Sequence, residues 1–371
     1  MGNEIIDMHN RVTAEELEKL LRHQLTQIFA HPELAGELPP LMIWGAPGIG
    51  KSTIIRTVAQ ELGVGFIDVR LAQREPVDVR GLPVPDTDNN SVRWLVSADW
   101  PRDPKSRGII LFDELTAADR SLQVAAYELI LDRRLGDLYQ LPQGWYICGA
   151  GNRVEDNAVA VAMSSALANR FMHVELREDV ESWIKWGIRN DIHPAVLGFI
   201  RFRPELLFHQ ENENVERGWP SPRSWERVSI VLESFNGEWN GIVAKMVYGL
   251  IGRATGTEFA EFYKNSRKFA DLRVAMLDSG GVAIPEKPDE CYAFCSAVVH
   301  YLWSGENPSE DARLLDSFFG IVKRLPKAFA ALTMLDAMSE NRCHTALEAV
   351  RIVTGHREYA PWAKNSGFRA R

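Results

Sequence analysis

The sequence predicts an α/β fold, a mostly parallel sheet flanked by helices, followed by an all-helical region. In the first 178 residues, short apolar runs alternate with helical stretches: LMIW, GFIDVR, GIILFD, WYICGA and FMHVEL. Strands that alternate with helices are typical of parallel sheets covered on both faces. A glycine-rich turn joins LMIW to the next helix, and from about residue 179 the strand signals stop.

The composition is that of a globular protein, with 46% hydrophobic and 25% charged residues among 371, enough for two or three domains. The net charge of −8 argues against nucleic acid as a partner. The four cysteines lack the paired spacing of a zinc site. We find neither a basic leader nor an apolar run long enough for a bilayer, so we expect a soluble, cytoplasmic protein with no membrane contact.

The first element is a predicted amphipathic helix. Thr13 followed by Glu16 is the pattern of a capping box. Apolar residues then recur at helical spacing: Leu17, Leu20, Leu21, Leu25 and Ile28.

The turn after LMIW reads GAPGIGKS, residues 45–52, and fits the pattern G-x-x-x-x-G-K-[ST] between a strand and a helix. Glycines let a backbone wrap close to phosphate, so that amide N–H groups and the helix N-terminus point at the anion. Lys51 would then reach the β- and γ-phosphates, and Ser52 would ligate Mg²⁺. The alternative is a glycine-rich turn that binds nothing. The predicted nucleotide-binding residues are Gly45, Ala46, Pro47, Gly48, Ile49, Gly50, Lys51, Ser52 and Thr53.

Two adjacent carboxylates lie in GIILFDEL, a predicted strand that ends in Asp113. Ligands of open parallel sheets bind beyond the carboxyl ends of the strands. Asp113 would hold Mg²⁺ directly or through water, and Glu114 would polarise the attacking water. For Glu114 the alternative is a solvated carboxylate or a helix cap.

Three further polar residues are candidates for the same chemistry. Asn152 ends the strand WYICGAGN, where an amide can orient water or touch phosphate without adding charge; Gly-Asn is also a common turn pair. Arg170 lies just before the last apolar strand, where a surface or salt-bridging role is the default. Arg223 follows a predicted N-cap, Ser221, and a first helical residue, Pro222. A cation is disfavoured in a first helical turn, so either a phosphate or a local pair with Glu226 should compensate it.

In this order, these elements resemble the AAA+ ATPases and, within them, the MoxR-like group. GAPGIGKS resembles Walker A, ILFDEL Walker B, GAGN the sensor 1 strand, ALANRF the arginine-finger segment and SPRSW the sensor 2 helix. The resemblance covers roughly residues 10–260. Two departures are visible: Gly151, Asn152 and Arg153 stand where T-x-N-P is usual, and LANRF where L-D-R-F is usual.

Two long connections sharpen the resemblance. The stretch from RLAQREP to PKSRG is similar to the insert that MoxR-like proteins carry in their second helix, and QVAAYELILDRRLGDLYQLPQGW is similar to their helix and hairpin before sensor 1. Without the family, both are long surface connections, which tend to be functional in compact domains. In the family such hairpins project toward the central pore of a ring.

The resemblance implies three regions: a nucleotide-binding domain over residues 1–178, an all-α lid with sensor 2 over 179–270, and a helical extension over 271–371. It also implies a Mg²⁺-dependent ATPase, most often a hexameric ring, in which Arg170 reaches the site of a neighbouring subunit. Arg223 would act in cis or across a boundary. MoxR-like proteins resemble chaperones that remodel a client protein with a separate partner containing a von Willebrand factor A domain.

Two other classes of protein remain open. An AAA+ motor acting on DNA, of the restriction or helicase type, predicts a basic, aromatic-lined pore; the second hairpin offers Arg133 and Arg134, but also Asp132 and Asp137. A small-molecule phosphotransferase predicts an acceptor pocket, which nothing downstream suggests.

Overall fold

A parallel sheet of six strands forms the centre of the first part of the chain, as far as the described residues show. The computed structural model describes residues 10–153, 161, 163–210, 218–269, 271–278 and 282–368. The sheet consists of β1 (Arg11–Val12), β2 (Leu41–Trp44), β3 (Gly65–Arg70), β6 (Arg107–Asp113), β9 (Gly144–Gly151) and β10 (Met172–Leu176). Their order across the sheet is β1-β10-β2-β9-β6-β3.

Helices cover both faces of this sheet. Successive side chains of β2 point to opposite faces, and because all of them are apolar, both faces need a covering helix. Leu41 and Ile43 belong to a buried cluster with apolar residues of α1 (Ala14–Ala30) and α2 (Lys51–Glu61). Met42 belongs to the cluster on the opposite face, with residues of α4 (Arg120–Asp132). The short helices α3 (Pro76–Arg80) and α5 (Ser165–Ala168) complete this unit.

Two antiparallel hairpins stand outside the sheet. The first, β4 (Leu82–Asp86) with β5 (Ser91–Leu95), occupies the connection between β3 and β6. The second, β7 (Arg134–Leu135) with β8 (Tyr139–Gln140), follows α4 directly. They lie in the two connections that resemble the insert and the pre-sensor-1 hairpin.

The chain divides into two units, residues 1–178 and residues 179–371. In the second unit the described residues form helices, short 3₁₀ turns and connections. Aromatic side chains fill one of its cores around Trp225, which is fully buried and lies 5.4 Å from Phe199 between ring centroids; a second core surrounds Phe318. The helices are α6 (Val180–Arg189), α7 (Pro194–Phe202), α8 (Pro222–Ser234), α9 (Gly241–Ile251), α10 (Arg253–Ser266), α11 (Leu272–Leu277), α12 (Pro288–Leu302), α13 (Pro308–Val322), α14 (Lys327–Ala337), α15 (Ala346–Gly355) and α16 (Tyr359–Ser366).

The predicted fold class is confirmed as an α/β P-loop fold, a parallel sheet flanked by helices, with a helical C-terminal region. The five apolar runs are β2, β3, β6, β9 and β10. None of the helices in the described part of the chain combines the length and apolarity needed to cross a membrane. Residues 1–9, where we expect no leader, lie outside the described residues.

Candidate nucleotide site

The glycine-rich turn lies at the carboxyl edge of the sheet, between the ends of β10 and β9. Two of its glycines adopt left-handed backbone angles, with φ of 83° at Gly48 and 107° at Gly50, which side-chain-bearing residues disfavour. Gly50 is also the N-cap of α2 and has no side chain to cap the first N–H groups. These donors therefore point toward any anion held in the loop.

The side chain of Lys51 folds back over the loop that precedes it. Its Nζ donates hydrogen bonds to the carbonyl oxygens of Gly45 and Ala46, the latter at 3.1 Å, and to Oδ1 of Asn152 at 3.0 Å. Only 9% of Lys51 is exposed. The ammonium group thus lies inside the concave side of the loop, where a bound phosphate would need a cation.

The rest of the loop divides into anchoring and open positions. Gly45, Ala46 and Ile49 are buried, Gly48 lies in the turn, and Pro47 is half-buried. At the start of α2, Ser52 is half-buried and Thr53 is exposed.

Asn152 is fixed at the end of β9 by its own backbone. Its N–H donates to Oγ1 of Thr116 at 3.2 Å, and the Thr116 hydroxyl donates to its carbonyl at 3.4 Å. The preceding Gly151 leaves no room for a side chain, since a Cβ there would lie 2.7 Å from Met42 and 2.8 Å from Thr116. This fit aims the Asn152 amide at Lys51.

Asp113 and Glu114 are at the same edge: Asp113 is the last residue of β6, the strand next to β9, and Glu114 follows it. Asp113 is half-buried, and its Oδ1 accepts the Glu114 N–H at 2.9 Å. Glu114 has φ of 55°, a left-handed angle that is uncommon outside glycine, and its side chain is exposed. The Glu114 carbonyl accepts the Ala117 N–H at 2.8 Å, so the strained turn is held on both sides.

Sequence reasoning missed one carboxylate near this site, Asp68 on β3. In the register of β3 and β6, Asp68 pairs with Leu111 and Arg70 with Asp113. Burial and then the negative charge of Asp113 raise the pKa of Asp68, while Arg70 and Arg56 oppose that change. Its Oδ1 is buried and has no hydrogen-bond partner among the described residues. The one available signal was an acidic residue within the apolar run GFIDVR.

The structure does not bring Arg170 to these residues. Arg170 lies two residues before β10, whose first residue, Met172, pairs with Leu41, the first residue of β2. It is therefore at the amino edge of the sheet, opposite the phosphate loop. Strand β2, from Leu41 to Trp44, spans about 10 Å between the amino and carboxyl edges. Arg170 is exposed, and its guanidinium has no hydrogen bond or ion pair within the described part of the chain.

Arg223 belongs to the second unit and lies in the first turn of α8. Ser221 is the N-cap, accepting the Ser224 N–H at 3.2 Å, and Pro222 is the first helical residue, as predicted. Arg223 is exposed and does not pair with Glu226 within the described residues. The local compensation that we considered for its charge is therefore not present there.

Comparison with known proteins gives one family match and one curated relative. A model of the viral superfamily 1 RNA helicase core domain matches residues 41–144, from β2 through the phosphate loop and β6 to the start of β9. Midasin of Giardia intestinalis is 26% identical over 171 residues, which are 43% of this chain and 4% of that protein. The chain thus spans a small part of that relative's length.

Solved structures give distant likenesses. A candidate ATPase from Cytophaga hutchinsonii is 16% identical, with a TM-score of 0.33 over 63% of this chain and 85% of that chain. NtrX from Brucella abortus, crystallised with ADP, is 14% identical, with a TM-score of 0.36 over 94% of this chain and 69% of that chain. The phosphate loop, the strand order of the sheet and the matched core segment together support a P-loop nucleotide-binding fold.

Proposed function

We propose that this chain is a MoxR-like AAA+ ring ATPase of the cytoplasm that hydrolyses ATP with Mg²⁺ to remodel or activate a client protein. A hexamer is the proposed assembly, and a separately encoded protein with a von Willebrand factor A domain is the proposed partner. The finer parts of this proposal rest on the resemblance of the sequence motifs.

The hydrogen bond between Lys51 and Asn152 is the observation that carries the proposal. It joins the phosphate loop after β2 to the end of β9, and β6 with Asp113 and Glu114 lies next in the sheet. A cation, an amide and a pair of carboxylates thus lie at or beyond the carboxyl ends of three neighbouring strands. These are the groups that phosphoryl transfer to water requires.

In this scheme, ATP would draw Lys51 away from the loop carbonyls and toward its β- and γ-phosphates. Asn152 would contact the γ-phosphate or the attacking water. Glu114, exposed at the tip of its strained turn, would accept a proton from that water. Asp113 would be less free to do so, because one of its oxygens is engaged by the Glu114 N–H.

The residues present fit a magnesium ion. Mg²⁺ is usually held by one or two carboxylates or hydroxyls together with substrate phosphates and water. Ser52 and Asp113 supply such oxygens, and the unpartnered Oδ1 of Asp68 adds negative charge nearby. When bound, the ion would neutralise charge on the β- and γ-phosphates.

The position of Arg170 supports a nucleotide site that is completed by a second copy of the chain. Because Arg170 lies at the opposite edge of the sheet from Lys51, it cannot complete the site of its own chain without breaking the register of β10 and β2. Its guanidinium is exposed and has no partner within the described residues, which suits a role at the γ-phosphate of a neighbouring copy. Arg223 would act as sensor 2, in cis or across the boundary.

The first hairpin supports contact with a protein client. It exposes apolar side chains that a monomeric surface would normally bury or avoid. They are Leu82, Val92, Trp94 and Leu95.

The alternative, a DNA motor, loses its best support in the second hairpin. Arg133 is buried and donates to the carbonyl oxygens of Pro142 at 3.0 Å and Trp145 at 2.8 Å. Burial lowers the pKa of its guanidinium to about 10. Arg134 lies 3.7 Å from Glu128. Both cations thus already have partners within the fold. The match to the helicase core covers residues 41–144, the nucleotide-binding core, and therefore does not by itself favour a DNA motor.

Two variants test the nucleotide chemistry. Lys51→Ala should lose ATP binding, and Glu114→Gln should bind ATP but turn it over at least about 100-fold more slowly. Binding is measured by titration with a fluorescent ATP analogue, and turnover by phosphate release. The matched controls are Lys245→Ala and Glu238→Gln, exposed positions in the second unit. Wild-type turnover by Glu114→Gln would contradict the base assignment.

The finger is tested by mixing Arg170→Ala subunits with Lys51→Ala subunits, each inactive alone. In a random equal mixture, about a quarter of the sites should combine an intact phosphate loop with a neighbour's arginine, and activity should reappear in that proportion. A mixture that stays inactive at every ratio, although the subunits coassemble, would refute action across the interface.

A further inference from the structure

A chain of two side-chain hydrogen bonds connects the phosphate-loop strand to the segment that carries Arg170. The Trp44 indole Nε1–H donates to Nδ1 of His173 at 2.9 Å, and Nε2 of His173 lies 2.7 Å from the carbonyl oxygen of Ala168. We propose that His173 is a positioning residue for Arg170, holding the turn from which the arginine reaches the neighbouring subunit. This inference rests on the proposed function of Arg170.

The direction of both bonds follows from the donor chemistry. An indole nitrogen can only donate, so Nδ1 of His173 must accept and the imidazole must be neutral. Its proton is then on Nε2, which donates to the Ala168 carbonyl. His173 therefore uses both ring nitrogens, Nδ1 toward Trp44 and Nε2 toward Ala168.

The two ends of this chain lie beside the two halves of the proposed site. Trp44 is the residue before Gly45, whose carbonyl accepts the Lys51 ammonium. Ala168 is the last residue of α5, two positions before Arg170. Its carbonyl also accepts the Phe171 N–H at 3.3 Å. The imidazole, carried by strand β10, thus gives the turn of residues 168–171 a second hydrogen bond at the Ala168 carbonyl.

Ring packing fixes the imidazole itself. The ring planes of His173 and Trp44 lie 15° apart with their centroids 6.0 Å apart, and His173 meets Phe171 edge-on at 6.2 Å. Helix α5 is only four residues long. So short a helix has few hydrogen bonds of its own, and the Arg170 guanidinium has no partner within the described residues. The contacts of His173 therefore help to fix the position of Arg170.

The subunit mixture separates a positioning role from a merely structural one. In it, the Lys51→Ala subunit donates the finger and the Arg170→Ala subunit supplies the nucleotide site. His173→Phe on the donor keeps a ring but loses both bonds, and should lower the recovered activity by between about 10-fold and 100-fold. The same change on the Arg170→Ala subunit should leave the recovered activity within about twofold, because that subunit's turn carries no arginine.

Two further donor variants sharpen the test. His173→Gln can keep a donor for the Ala168 carbonyl and should restore most of the activity lost in His173→Phe. Trp44→Phe removes the indole N–H and should lower the activity as well; because the donor's own phosphate loop is already disabled, that loss must pass through His173. Trp100→Phe, at an indole bonded to the Val79 carbonyl, is the matched control.

Three outcomes would overturn the inference: equal losses on donor and acceptor, a loss on the acceptor only, or no loss on the donor. Thermal unfolding and coassembly of each variant are measured alongside. If the donor with His173→Phe fails to fold or assemble, the donors with His173→Gln and Trp44→Phe take its place in the comparison. If the parent mixture without changes at His173 shows no activity, the proposed trans action of Arg170 fails and this inference fails with it. An active parent mixture with symmetric losses refutes the inference alone.

Discussion

Asn152→Asp is a sharp perturbation of the proposed site because it changes charge without changing shape. The amide oxygen of Asn152 lies 3.0 Å from Nζ of Lys51. A carboxylate at that distance would attract the ammonium by about 5 kcal/mol at an effective dielectric constant of about 20, before desolvation is counted. A hydrogen bond to a charged partner retains about 1.5–3 kcal/mol net.

That net energy has to be overcome when nucleotide binds, since Lys51 must turn from residue 152 to the phosphates. The new negative charge would also repel the phosphates. We therefore expect nucleotide binding to weaken by between about 10-fold and 100-fold, at about 1.4 kcal/mol for each factor of ten. The nucleotide-free protein should unfold at a higher temperature than wild type, because the new ion pair is present only in the folded state.

The assay is a titration with a fluorescent ADP analogue, combined with thermal unfolding without nucleotide. Asn152→Ala is the control, because it removes the Lys51 partner without adding charge; its binding should change less than that of Asn152→Asp. If Asn152→Asp binds nucleotide as tightly as wild type, Lys51 does not leave residue 152 for the phosphates, and the proposed role of the Lys51–Asn152 pair is refuted.

Three further predictions concern stability. Burial raises the pKa of Asp336 from 3.8 to about 6, against the opposing effect of Arg201. Between these two pH values the carboxyl group is protonated in the folded protein and ionised in the unfolded chain. Unfolding free energy should therefore fall by about 3 kcal/mol as the pH rises from 4 to 7, at about 1.4 kcal/mol for each pKa unit, and urea titrations of wild type and Asp336→Asn should show that only wild type has this slope. Arg201→Met removes the buried cation paired with Asp336 and should cost about 3–5 kcal/mol at pH 8 but clearly less at pH 5, where Asp336 is protonated; an equal cost at both values would contradict the pairing. Gly50→Ala should cost about 1–3 kcal/mol in thermal unfolding, because its φ of 107° is strained for alanine, whereas Gly355→Ala, in open space on a helix, should cost nothing.

Local patterns predicted the main elements because each is specified within a few residues. The motif GAPGIGKS predicted a strand, a loop and a helix, and these are β2, the turn of residues 45–50 and α2. The pair Ser221 and Pro222 predicted the start of α8 at the observed residue. Capping and periodicity act over one or two helical turns, so that neighbouring residues suffice to read them.

Contacts between distant strands could not be predicted in the same way. The sequence indicated a parallel sheet without its order, and the order decides that Trp44 meets His173, 129 residues away. Strand β1 has only two residues and no apolar run, so its pairing with β10 left no sequence signal. Arg133 shows the same limit: the sequence offered it as a basic residue for a pore, whereas in the structure it is buried against carbonyl oxygens.

The placement of the candidate residues constrains how copies of the chain can assemble. Lys51, Asn152 and the carboxylates are at the carboxyl edge of one sheet, and Arg170 is at its amino edge. A contact that brings Arg170 of one copy to Lys51 of the next joins two different surfaces, and is therefore heterologous. A two-fold dimer can complete both of its sites only if the same interface contains both edges, which the length of the strands opposes. Head-to-tail contacts have no such conflict and lead to a closed ring when the rotation between neighbours closes. If Arg170 acts across subunits as proposed, its position at the amino edge of the sheet therefore favours a ring over a two-fold dimer.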